Sequence, residues 1–212
     1  MSTLIQEITH LQKTPVAVRI QQRLADFQHV QQQNNDVWHA ELCYCLLTAN
    51  AKARIALAIQ EELGIQGFKK GSFELIRDCI YKHKHRFHNN KAQYIVDAQQ
   101  HKNIKKMVQD RIKNDGQQEA RLWLAQTIKG FGLKEASHYL RNVGYVDLAV
   151  LDRHILNVLV EYGYIQQKPK TLNLSMYLQL EGLFRSIAYS CAMSCAELDL
   201  YMWYMKGNDV LK

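Results

Sequence analysis

A lysine and an aspartate, Lys134 and Asp152, each stand where the sequence predicts a helix to begin, eighteen residues apart within Thr127–His154. A primary amine is a nucleophile only when neutral. Partial burial and the positive end of a helix both disfavour an ammonium, and the neutral amine attacks carbon to form a Schiff base. Asp152 precedes the apolar-periodic run His154–Val160 in N-cap position. A capping carboxylate is held in one orientation, from which it can stabilise an oxocarbenium-like sugar and assist proton transfer. Taken alone, Asp152 also reads as nothing more than a cap. Two neighbours are rivals. Lys129 ends the preceding helix, where the dipole favours its charge, and reads as a surface or phosphate-facing cation. Asp147 lies in a loop with no helix start behind it.

The elements that must position this pair are a helix end, a glycine turn, a short second helix and a loop into a third. Gly130-Phe131-Gly132 is the turn. Two glycines there are expected to adopt backbone angles that other residues resist and to leave their amides uncovered. The second helix presents Ala136, Tyr139 and Leu140 to a core, and Gly144 stops it. Free amides at a helix N-terminus bind phosphate without reading a base. The series Ile128-x-Gly130-Phe131-Gly132-x-x-x-Ala136 fits the helix-hairpin-helix pattern of DNA-binding proteins. A non-catalytic DNA-binding module needs only the amides and surface cations, so the Lys134/Asp152 pair separates an enzyme from that alternative.

The chain has 212 residues, 47% of them hydrophobic, which suffices for one domain or two small ones. Lys and Arg outnumber Asp and Glu by 27 to 20, a net +7 that suggests a polyanionic partner. Five cysteines, an odd number with no signal peptide, read as reduced and mostly buried thiols of a cytoplasmic protein. No apolar run is long enough to span a membrane. Helical periodicity recurs from Thr14-Pro15 onward: Asp36 is expected to cap a helix carrying Trp38, Leu42, Cys45 and Leu46 inward. Helix 52–63 should stop at Gly64, Ser72 and Ser175 should cap two more, and Ser194 with Glu197 forms a capping box. Asp115-Gly116 breaks the chain before helix 117–128. His83, His85 and His88 in the basic segment Lys82–Lys91 invite a metal reading. Without a carboxylate or cysteine at ligand spacing they read as solvated or phosphate-facing, and no metal site is expected. The predicted fold class is all-α, a two-lobed helical bundle.

Gly130-Phe-Gly-Leu-Lys134-Glu-Ala136, followed by Leu151-Asp152-Arg-His, resembles the signature of the helix-hairpin-helix base-excision DNA glycosylase superfamily. Glu41–Asn50, the Arg86-Phe87 to Tyr94-Ile95 segment, Glu197–Tyr204 and the terminal Val210–Lys212 resemble the type 2, archaeal-type 8-oxoguanine DNA glycosylase/lyase, over nearly the whole chain. The four-cysteine iron–sulfur cluster of the endonuclease III branch is missing from the sequence. The resemblance implies a monomeric enzyme that binds double-stranded DNA and flips 8-oxoguanine into a pocket between two lobes. Lys134 would attack the sugar C1′, Asp152 would support that step, and β-elimination from the Schiff base would nick the strand. Trp203 and Lys212 would build the base pocket, although Trp203 also reads as core and Lys212 as a loose terminus. Gly130, Gly132 and Lys129 would hold DNA. Arg86, Phe87 and Asn50 would face the duplex, or else serve as a solvated cation, a core anchor and a helix C-cap. No cofactor is expected beyond a monovalent cation on the hairpin carbonyls. Residues 1–35 plus 136–212 would form one lobe and 36–135 the other, with the hairpin at their junction. A glycosylase of the same superfamily acting on another lesion is the remaining alternative.

Overall fold

The computed structural model describes residues 3–49 and 51–212, and these hold eleven helices and no strand. The architecture is all-α, as the periodicity predicts. It is organised around α3 (Asn35–Thr48), in which every side chain from Trp38 to Thr48 is buried. A helix that is apolar on all sides must be enclosed by other elements. Here α4 (Ala53–Lys70), α6 (His88–Ala98), α7 (Ile104–Thr127) and α8 (Leu133–Asn142) enclose it. With α5 (Phe73–Lys82) between α4 and α6, they form a first core running from Trp38 through Ile128, Phe131, Tyr139 and Leu140 to Leu148.

A second core joins the two ends of the chain. It packs α1 (Leu4–Leu11) and α2 (Pro15–Gln32) with α9 (Arg153–Glu161), α10 (Leu174–Ser190) and α11 (Cys195–Gly207). Its buried residues run from Leu4 to Phe27 and from Ala149 to Val210. Ala136, Tyr139 and Leu140 of α8 lie in the first core, which extends past residue 135 to Leu148, while Leu133 packs against the second.

Several helix ends differ from the sequence expectation for local reasons. Asn34, not Asp36, caps α3: its side chain accepts from the Asp36 and Val37 amides at 3.0 and 3.2 Å, while Asp36 pairs with Lys69. Asn173, not Ser175, caps α10 by accepting from the Met176 amide at 2.9 Å. The stops expected at Gly64 and Gly116 are by contrast present: Gly64 (φ 57°, ψ −175°) and Gly116 (φ 89°, ψ 172°) leave the helical region, and helical turns resume beyond each of them within α4 and α7. Ser194 caps α11, but Glu197 does not complete a box; its carboxylate accepts from Gln21 at 2.9 Å. Helix α1, which the sequence reading passed over, carries a capping box of Thr3 and Gln6.

Candidate active site

The hairpin runs from α7 through Ile128–Gly132 into α8. Ile128 and Phe131 are buried and anchor the turn in the first core. Gly130 takes φ 92°, and a Cβ there would lie 2.4 Å from the Tyr94 ring, so conformation and space both demand glycine. Gly132 corrects the expectation of two unusual glycines. Its backbone is extended (φ −113°, ψ −171°), and its amide is not open: it donates to Glu135 Oε2 at 3.1 Å. The Phe131 amide donates to the Ile128 carbonyl at 3.0 Å. The amides of Gly130, Leu133 and Lys134 have no acceptor among the described residues and remain available to an anion.

Lys134 is the second residue of α8, with Nζ 3.3 Å from Glu135 Oε1 and its side chain mostly shielded. Asp152 caps α9: Oδ1 accepts from the amides of His154 (2.8 Å) and Ile155 (2.9 Å). The loop that delivers Asp152 is pinned on the second core. The Ala149 amide donates to Glu181 Oε1 at 3.0 Å, the Tyr177 hydroxyl donates to the Ala149 carbonyl at 2.8 Å, and the Ala196 amide donates to the Val146 carbonyl at 3.0 Å. Asp147, the rival carboxylate, instead meets Gln117 at 3.2 Å at the surface.

Lys134 and Asp152 line one cleft of about 820 Å³ between the two cores, together with His138, Asp199, Trp203 and Lys212. Trp203 is partly exposed, with the His154 ring at 6.0 Å in edge contact. Lys212 is an anchored terminus rather than a loose one. Its Nζ is ion-paired with Glu41 and lies 4.4 Å from the Tyr44 ring centroid, and the Tyr44 hydroxyl donates to its main-chain oxygen at 2.7 Å. Lys129 lies on the outside, paired with Asp97 at 3.1 Å.

Several groups around the cleft escaped the sequence reading. Arg141 and Asp199, both buried, form an ion pair between α8 and α11. Burial pushes the Asp199 carboxyl up to about 6; the Arg141 charge opposes the shift and the Asp152 charge adds to it. His138 is held well below the ordinary imidazole range by burial first, then by Arg141, Lys134 and Lys212. Lys91, beneath the hairpin, is lowered to about 8 by burial, with Glu135 opposing and Lys134 reinforcing. The signal for Glu41, Arg141 and Asp199 was a charged residue set inside an apolar helical run; it marks a buried pair without naming the partner.

Arg86 and Phe87 sit apart from the cleft, between α5 and α6. The Arg86 guanidinium lies 4.7 Å from the Phe87 ring centroid, and the ring is 38% exposed. His85 is not solvated as expected. It is buried, its Nε2 donates to the Leu47 carbonyl at 3.0 Å, and its Nδ1 accepts from the Phe87 amide at 3.3 Å, which fixes the base of the Arg86-Phe87 segment. Asn50 lies outside the described residues. No described helix is long and apolar enough to cross a membrane.

A helix-hairpin-helix at the junction of two helical cores, opening onto a cleft with a lysine and a capping aspartate, defines the helix-hairpin-helix DNA glycosylase type of site. The family model for 8-oxoguanine DNA glycosylase (Ogg-HhH) matches residues 20–193, and the chain belongs to that family. The 8-oxoguanine DNA glycosylase/AP lyase of Methanocaldococcus jannaschii is 41% identical over 209 residues, 99% of each chain, and that of Thermoplasma volcanium is 39% identical over 91% of each. The fold matches the crystal structure of the M. jannaschii 8-oxoguanine glycosylase/lyase in complex with a 15mer DNA containing 8-oxoguanine, with TM-score 0.94 over 99% of each chain. It also matches the 8-oxoguanine DNA glycosylase of Thermotoga maritima, 32% identical, with TM-score 0.91 over 99% of this chain and 98% of that one.

Proposed function

We infer that this chain excises 8-oxoguanine from duplex DNA through a lysine Schiff base and nicks the strand by β-elimination: a bifunctional 8-oxoguanine DNA glycosylase/AP lyase. The observation that carries the reading is the convergence of Lys134 and Asp152, from two different helix starts, on one cleft that Trp203 and Lys212 also line. That convergence occurs in a chain matched over 99% of its length by a glycosylase/AP lyase.

The Lys134 amine attacks C1′ of the flipped nucleotide as the glycosidic bond breaks, and the base departs with the bond's electron pair. Glu135, 3.3 Å from Nζ, lies within reach of the proton that the amine must shed. Asp152 faces the oxocarbenium-like sugar. Both capping bonds fall on Oδ1, and Oδ2 has no hydrogen-bond partner among the described residues. The C1′–O4′ bond then opens, O4′ taking up a proton, and the resulting Schiff base loses a proton from C2′ and expels the 3′ phosphate. Trp203 offers an indole face for stacking, and Lys212 offers an ammonium held at a fixed place by Glu41. On the outer face, the open amides of Gly130, Leu133 and Lys134, together with Lys129, would take a backbone phosphate, and Phe87 backed by Arg86 would fill the hole left by the flipped base. A monovalent cation at the hairpin would rest on the carbonyls of Lys129 and Phe131, which accept no backbone hydrogen bond among the described residues.

Borohydride trapping tests this reading. A duplex with 8-oxoguanine opposite cytosine should give a covalent protein–DNA band with wild type and Lys129→Gln and none with Lys134→Gln. A band that survives in Lys134→Gln overturns the assignment of the nucleophile.

A further inference from the structure

On the flank of the first core, away from the cleft, three side chains of different chemistry meet. Cys79 and His83 are one helical turn apart at the C-terminal end of α5, a ligand spacing that corrects the reading of His83 as lacking a cysteine partner, and Glu62 reaches them from the packed helix α4. The sequence gives no reason to join Glu62 to the other two; the packing of α4 on α5 does so. The Cys79 sulfur, a ring nitrogen of His83 and a carboxylate oxygen of Glu62 all lie within 4.8 Å of one another. None of the three lines the cleft.

We propose that Glu62, Cys79 and His83 form a three-ligand site for a single borderline-soft divalent cation of the zinc class, with solvent as the fourth ligand. A thiolate at about 2.3 Å and nitrogen and oxygen at about 2.0–2.2 Å require ligand atoms roughly 3.3–3.8 Å apart, so the hydrogen-bonded His83–Glu62 pair must open by about 0.5 Å as the ion enters a set that now lies within 4.8 Å. His83 Nε2 already lies 2.8 Å from Glu62 Oε2. The donor set selects the ion: a thiolate and an imidazole favour zinc, cobalt or nickel, and a single carboxylate is too little for magnesium or calcium. Cys79 is buried and forms the floor, while Glu62 and His83 are partly open, so the ion has an entry path and room for water. On binding, the thiol proton passes to solvent and sulfur donates to the metal, so no redox change is involved.

The protein also contains a competitor for this place. Lys82 Nζ lies 2.9 Å from both Glu62 oxygens and occupies the carboxylate with an internal cation. Its side chain is largely exposed and can swing into solvent when a dication arrives. A bound ion would tie α4 and α5 to the root of the segment that carries Arg86 and Phe87.

Cobalt(II) is the probe. The full-length protein, stripped with chelator, is titrated with Co2+ and followed by absorption. One equivalent should bind with a thiolate-to-cobalt charge-transfer band and tetrahedral d–d bands, and Zn2+ should displace it. Cys79→Ser should abolish the charge-transfer band, and Glu62→Gln and His83→Ala should each weaken binding at least tenfold, with circular dichroism showing the fold intact. Lys82→Ala leaves every ligand in place and should tighten Co2+ binding several-fold. A charge-transfer band that persists in Cys79→Ser, binding without such a band, no binding at all, or no gain in Lys82→Ala overturns the site.

Discussion

Glu181→Ala should damage this protein out of proportion to its distance from the chemistry. Arg121 on α7 and Glu181 on α10 are both essentially inaccessible to water, and their ion pair (Nη1 to Oε1, 2.6 Å) joins the helix that leads into the hairpin to the second core. The same Oε1 also accepts from the Ala149 amide. Removing one member of a buried pair leaves the other charge without compensation, at a cost of about 3–5 kcal/mol. The orphaned Ala149 amide pushes the value toward the upper end. Arg121 cannot recruit another carboxylate easily; its guanidinium is packed 5.1 Å from the Tyr177 ring centroid, and its nearest polar neighbour is Ser137 Oγ at 3.5 Å. Against a total stability of about 5–15 kcal/mol the loss is large, and it corresponds to a fall in Tm on the order of 10 °C for a domain of this size. The double variant Arg121→Met/Glu181→Leu removes both charges and should recover most of the stability, since buried pairs replaced by apolar groups are often neutral or better. It should not recover the full rate of base excision, because Ala149 lies three residues before Asp152 and still lacks its acceptor. Urea denaturation of Glu181→Ala and of the cycle formed by wild type, Arg121→Met, Glu181→Leu and the double variant, together with single-turnover excision, checks both parts. A Glu181→Ala loss below about 1 kcal/mol, or single losses that simply add in the double variant, would refute the argument.

Two further outcomes follow from the cleft. Deleting Lys212 strips buried Glu41 of its cation and the Tyr44 hydroxyl of its acceptor, and should lower 8-oxoguanine excision at least tenfold while sparing strand nicking at a preformed abasic site; unchanged excision in parallel assays of released base and nicking would count against the pocket. Acidification should destabilise the protein below pH 6.5 through His138: the unfolded imidazole binds a proton there and the folded one does not, so stability present above 6.5 is lost as pH falls, at up to about 1.4 kcal/mol per pH unit. Buried His39 and His85 act in the same sense, whereas Asp199, raised to about 6, binds its proton earlier in the folded state and adds stability as pH falls from 6 toward 3.8. His138→Gln should therefore flatten the stability profile between pH 6.5 and 6, and denaturation curves across that range read it directly.

What the sequence made legible was local. The hairpin, the Asp152 cap and the inward face of Ala136, Tyr139 and Leu140 are each written within a few residues, where periodicity and capping chemistry act. Lys134 and Asp152 could be paired because each marks a helix start, and the fold brings both to one cleft. The parts that could not be read depend on partners far apart in the chain. Glu41 meets Lys212 across 171 positions, Arg141 meets Asp199 across 58, and Glu62 meets His83 across 21. A charge inside an apolar run announces that it must be compensated, but only packing chooses the compensating group. Two of the expected helix caps failed for a related reason, while Ser72, Asp152 and Ser194 cap as expected: Asn34 and Ser175 stand within two residues of Asp36 and Asn173, and capping propensity alone cannot choose between such neighbours. The glycines repeat the point. Gly130 is demanded by its φ and by the Tyr94 ring, a tertiary contact, whereas Gly132, identical in sequence terms, is ordinary extended backbone whose amide is taken by Glu135. In this fold the proposed reacting groups sit on local signals and the groups that brace the cleft sit on long-range pairs. Substitutions at Glu41, Arg121, Asp199 or Glu181 should therefore act on excision through stability and positioning. Substitution at Lys134 should abolish the covalent intermediate while leaving the fold intact.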